Sequence, residues 1–168
     1  LHNYIIVVIL IVRLDMIDLV CGSDIVFFEW DGNHRHLRLT IRRQRQMWLR
    51  DSYHGTVSSD EIRVALQQTH ILAYLNIYQE TACISGIEAM SAGCVVVCPN
   101  LAVLPETCAN FAWMYGYVQD RIEHARKFSH VLRDAINSFW EPPVQARLTF
   151  QKQYFDMHYD IDTTAKQW

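Results

Sequence analysis

The sequence predicts an α/β protein, a three-layer α/β/α sandwich around a mainly parallel sheet of about six strands. Two patterns carry that expectation. Short runs rich in Val and Ile, at residues 4–12 and 94–98, alternate with segments of helical period. Those runs lack the polar alternation of a half-exposed strand, so they suit strands covered on both faces, as parallel strands are. Size agrees: 168 residues, 51% apolar and 20% charged, are enough for one domain with its own core. The whole chain, 1–168, is read as that single domain.

Strands are expected near 4–12, 24–30, 52–54, 70–75, 94–98 and 111–115, each a β-branched or aromatic run ended by turn or charged residues. Helices are expected near 15–21, 36–49, 59–68, 83–92, 103–108, 120–140, 143–157 and 161–168. Asp31-Gly32-Asn33 makes a turn. Ser58 and Glu61 form a Ser-x-x-Glu capping box for the helix at 59. Gly93 closes the helix at 83–92 in the position where glycine accepts a left-handed backbone. Between 120 and 140, Ile122, Ala125, Phe128, Val131, Leu132, Ala135, Ile136 and Phe139 recur at helical spacing and form a packing face. Glu141-Pro142-Pro143 stops that helix, because Pro142 pushes Glu141 towards extended geometry, and the proline pair opens the next one. Phe150, Tyr154, Phe155 and Trp168 are assigned to packing within the closing helices, 143–168. No internal repeat or low-complexity tract interrupts this order.

Charge and cysteine usage narrow the function. A net charge of −3 points to neither nucleic acid nor general membrane attraction. Five cysteines, an odd number with no secretory signal, argue against a disulfide framework. Neither they nor the eight histidines have the spacing of a zinc site. The apolar run at 4–12 is too short for a bilayer, which needs about 20 residues. It also lacks the basic flank and cleavage site of a signal peptide. Residues 35–50 hold Arg35, Arg38, Arg42, Arg43, Arg45 and Arg50, six of the fifteen Lys and Arg residues. A solvated helical face is the plain reading; an anionic acceptor or membrane surface is the sharper one. The chain is expected to be cytoplasmic, with peripheral membrane contact through 35–50 as the alternative. It opens on Leu1 rather than methionine, as a fragment of a longer protein would.

The most informative stretch is Glu80-Thr-Ala-Cys-Ile-Ser-Gly-Ile-Glu88, followed by Ala89-Met-Ser-Ala-Gly93 and Val95-Val96-Val97. It places a helix between two strands. In a parallel sheet that sets the helix N-terminus at the carboxyl edge of a strand, where α/β folds bind ligands. Free amides there attract phosphate. A carboxylate further along the helix can accept hydrogen bonds from sugar hydroxyls. Glu88, within an otherwise small and apolar helix, needs a partner if buried. Glu80 stands in a loop after a strand end, a common place for functional residues.

Glu, seven residues, Glu-Ala-Met-x-x-Gly and a Val-Val strand resembles the donor-binding half of retaining GT-B glycosyltransferases, in particular glycosyltransferase family 4. Upstream, Tyr53-His-Gly55-Thr-Val57-Ser-Ser-Asp-Glu61 looks like the family's strand, glycine loop and helix start. Downstream, Asn100-Leu-Ala-Val-Leu-Pro-Glu106 looks like the loop after the Val-Val strand, without its usual glycine pair. The match is specific over about 53–117 and loose elsewhere. The resemblance implies a Rossmann-like domain, the C-terminal half of a two-domain enzyme. It implies retaining transfer of a hexosyl unit from a nucleoside-diphosphate sugar to an acceptor hydroxyl, with no cofactor or required metal. It assigns Glu80 to the sugar as the catalytic carboxylate and Glu88 to the ribose. Amides at Ala82, Cys83 and Ile84 would meet phosphate, Val57 would lie against the base, and Glu106 near the sugar or ribose. Arg13 matches the Arg that clamps the diphosphate. The Lys that accompanies it is missing, since Met16, Ile17 and Asp18 occupy its region. Expected partners are the donor and an N-terminal domain carrying the acceptor site, and not nucleic acid. Two alternatives stand beside this reading: a non-catalytic nucleotide-binding or interaction module of the same fold, and an epimerase-like sugar-nucleotide enzyme. For NAD binding there is no Gly-x-Gly-x-x-Gly after the first strand.

Overall fold

The computed structural model describes residues 5–12, 23–30, 52–56 and 58–159, with side chains placed from Ser58 onward apart from Ser59. The expected helices at 15–21, 36–49 and 161–168 lie outside the described residues, as do Arg13, Val57, Trp168 and the arginines of 35–50. The described chain is mixed α/β. Its strands are β1 (Ile5–Val12), β2 (Ser23–Trp30), β3 (Ser52–Thr56), β4 (Ile71–Tyr74), β5 (Val95–Asn100) and β6 (Trp113–Gly116). Its helices are α1 (Ser59–Gln67), α2 (Ile84–Ala92), α3 (Leu104–Thr107), α4 (Arg121–Ser138) and α5 (Pro142–His158).

The sheet order is β3-β2-β1-β4-β5-β6. β4, β5 and β6 form a parallel three-strand unit, with β1 parallel to β4 on its inner side. β2 runs antiparallel to both β1 and β3. This narrows the expectation of a mainly parallel sheet of about six strands: the helix-covered parallel unit is β4–β5–β6, and the first strands add a mixed wing. The reason is chain length. Only residues 13–22 join β1 to β2, and a parallel pairing needs a crossover of about a dozen residues or more.

Two cores flank the parallel unit, because successive side chains of a strand point to opposite faces. Leu72, Tyr74, Val96 and Cys98 meet Leu66 of α1, Ala89 and Met90 of α2, Leu104 of α3 and Phe155 of α5. Ile71, Ala73, Val95 and Val97 meet Phe128, Leu132, Ala135 and Ile136 of α4, joined by Val144 and Leu148 of α5. α5 therefore starts against one layer and ends against the other. Buried Gln151, between these two contacts, donates to the carbonyls of Met90 at 3.2 Å and Cys94 at 2.8 Å, satisfying backbone at the end of α2 and just before β5.

Local signals account for the element ends. The Ser58–Glu61 capping box is formed, Glu61 Oε2 lying 2.8 Å from the Ser58 amide. Gly93 takes φ 89° at the end of α2. Glu141 is extended at ψ 138° before the prolines of α5. Pro99, in β5, has no amide to give a ladder; it stands beyond Val97, where the pairing with β4 stops. Two packing assignments are corrected: Ile122 and Phe150 are 81% and 68% exposed, while His124, at the same helical face as Phe128, is buried. Ile122 sits in the first turn of α4.

Candidate functional site

The connection after β4 leads to the motif helix. Asn76, 1% exposed, shapes it: its Oδ1 accepts from the Tyr78 amide at 2.7 Å and its Nδ2 donates to the Tyr78 carbonyl at 2.9 Å. This side-chain turn brings the chain back over the end of β4 and delivers Glu80 there. Glu80 is half-buried, and its Oε1 accepts a hydrogen bond from the hydroxyl of Tyr74, the last residue of β4. Burial first, and then Glu80, push the Tyr74 phenol well above its ordinary value, so it stays a protonated donor.

Behind Glu80 lies a thiol cluster. Cys83, Cys98 and Cys108 are all buried. Burial, then the charge of Glu80, push the Cys83 thiol up to about 12. A hydrogen bond with Cys108, then burial, push the Cys98 thiol far upward as well. Cys83 and Cys98 are thus held neutral, and a neutral thiol is a poor nucleophile. The cluster instead closes the core under the site. Gly86 packs closely above it: a Cβ there would stand 3.1 Å from the Cys83 sulfur, a tight contact.

α2 opens at Cys83 without a side-chain cap. Its first amides, those of Ile84 and Ser85, have no acceptor within the helix. Ile84 is exposed, as are Thr81 and Ala82 before it, so this end of α2 is open to a ligand. Strand order places it usefully. From β1 the chain builds outward to β2 and β3, then returns to β1's other side with β4. Crevices at such reversals, outside the carboxyl ends of the strands, are where open α/β sheets bind ligands. The loop carrying Glu80 follows the carboxyl end of β4, at this reversal.

Glu88 lies one turn further along α2 with 27% of its side chain exposed, and its Oε1 is 3.5 Å from Nε of Arg63 on α1. Arg63 also reaches Asp60 at 3.2 Å. Glu80 and Glu88 therefore have different partners, one the strand end and the other the neighbouring helix. Glu106 is exposed on α3, and its charge contributes to raising the Tyr159 phenol, after burial and Tyr154. That sets Glu106 near the end of α5. Its loop carries Ala102 at φ 50°, a left-handed backbone taken without the glycine usual there.

Tyr74, Asn76 and Arg63 were not singled out by the sequence. Tyr74 had a signal, a polar tip ending an apolar strand; Arg63 and Asn76 had only ordinary surface or loop contexts. Among the described residues, no group of three or more His, Cys, Asp or Glu is arranged to hold a metal ion, and no helix is long and apolar enough to cross a membrane. Comparison of the chain with protein-family models, with curated proteins and with solved structures finds no match.

Proposed function

We propose that this chain is the Rossmann-like, donor-binding half of a GT-B glycosyltransferase, taking a nucleoside-diphosphate sugar and supporting retaining transfer to an acceptor hydroxyl supplied by a second domain. The observation that carries the reading is Glu80 held by Tyr74 at the carboxyl end of β4, beside the uncapped start of α2. In this reading the Ile84 and Ser85 amides receive the diphosphate, aided by the helix dipole. Glu80 faces the sugar, accepting a hydroxyl and opposing positive charge at the anomeric carbon. Glu88 accepts the ribose hydroxyls, exchanging its long contact with Arg63 for them. Arg13, placed by the resemblance alone, assists the diphosphate.

Calorimetric titration with UDP, GDP and ADP tests the reading. One nucleotide is expected to bind, and Glu88→Ala to weaken it by about tenfold, near 1.4 kcal/mol, as for a lost charged hydrogen bond. Equal affinity in both proteins removes Glu88 from the site; no binding by any nucleotide removes the reading. A second reading, a nucleotide-binding module without transfer, is favoured by the missing Lys. It is supported if nucleotide binds but donor-sugar hydrolysis stays absent with a GT-B N-terminal domain supplied.

A further inference from the structure

At the opposite, amino end of the parallel strands, the corner after α4, one face of α5 and the residues just before β4 and β5 line an open groove of about 540 Å³. That volume is in the range of small-molecule sites, roughly 300–1,000 Å³. Its two walls differ in chemistry. One is aromatic: Trp140, 45% exposed, packs edge-on against Phe139 at 4.9 Å and His70 at 5.5 Å between ring centroids. The other is a face of α5, where Thr149, Lys152, Gln153 and Asp156 recur at helical spacing and line the groove. Gly93 lies between the walls, and a Cβ there would meet nothing within 4 Å, so the space above it is open.

The groove carries no net charge to offer. Lys152 pairs with Asp156 at 3.3 Å and donates to the Ser91 carbonyl at 2.7 Å. Burial lowers the His70 pKa, which keeps that ring neutral at neutral pH. The Lys152–Asp156 pair leaves this wall without net charge to attract an ion. A neutral ligand finds hydrogen-bond groups of both kinds: the Gln153 amide donates and accepts, and the Asp156 carboxylate accepts. A ring with an apolar C–H face and hydroxyls around its rim suits a groove lined by a tryptophan, an amide and a carboxylate. We infer that this groove is a binding site for a neutral carbohydrate, stacked on Trp140 and hydrogen-bonded by Gln153 and Asp156. The inference is independent of nucleotide binding, which is proposed for the other end of the sheet.

The experiment is calorimetric titration of the chain with maltose, cellobiose and chitobiose, with glucose 6-phosphate and adenosine in parallel. At least one disaccharide is expected to bind, and Trp140→Ala to weaken it about tenfold or more, as hot-spot aromatics do. Gln153→Ala, at an exposed position outside both cores, is expected to weaken it severalfold and serves where Trp140→Ala fails to fold. Trp140→Phe, which keeps a ring, is expected to retain binding. UDP, GDP and ADP titrations are expected to be unchanged by all three substitutions. No binding of any disaccharide overturns the inference, as does binding that both Trp140→Ala and Gln153→Ala leave intact. Tighter binding of glucose 6-phosphate or adenosine than of the disaccharides also overturns it.

Discussion

Tyr74 is a core tyrosine whose one polar atom is spent on Glu80. Replacing it with Phe keeps the packing and removes the donor. Tyr74→Phe is expected to lower unfolding free energy by about 1.5–3 kcal/mol, the usual worth of a hydrogen bond to a charged group, read by urea denaturation. Two histidines set an acid limit. His70 and His124 have pKa values lowered from 6.5, in both cases first by burial, with Val118 backbone partly offsetting this at His124. His124 also meets the Tyr115 hydroxyl at 3.1 Å through Nε2. Because the folded state resists protonation, the unfolded state takes up protons first as pH falls. The stability these rings contribute is complete above pH 6.5 and is lost progressively below it. Chemical denaturation across pH 5–8 (a window spanning the ordinary histidine pKa, about 6.5) is expected to show this fall, and His124→Gln to flatten it.

Elements were legible where their causes are local. The Ser58–Glu61 box, Gly93 and the Pro142–Pro143 pair act within a turn of themselves, and each marks a helix start or end near where the sequence placed it. What remained hidden depends on distant chain. The reversal of β2 follows from how β1 and β2 meet, not from the alternation of either. Phe150 and Ile122 match the helical period of their neighbours, yet both face outward because nothing packs over them among the described residues. The site divides likewise: the strand–loop–helix carrying Glu80 and Glu88 could be read from residues 70–98, but not that Tyr74 and Arg63 would claim those carboxylates. Gln151 joins three elements at one amide. Gln151→Leu leaves the Cys94 carbonyl without its side-chain donor and the Met90 carbonyl with the Gly93 amide alone, and is expected to cost about 2 kcal/mol by urea denaturation.

Across the whole molecule, protection follows the layering. β4 and β5 have strands on both sides and helices over both faces, whereas among the described residues β6 pairs only with β5. Native-state hydrogen exchange is expected to be slowest in the Ile71–Tyr74 and Val95–Val97 amides and faster in Trp113–Gly116. Equal rates in all three strands would mean the edge is covered by something more. α5 adds a further consequence. Since Val144 and Leu148 serve one core and Phe155 the other, this one helix is a crossbar bolted to both halves of the frame. A cut at the Trp140–Pro143 corner would leave no surviving half, and limited proteolysis there should yield small peptides instead of a stable truncated fragment.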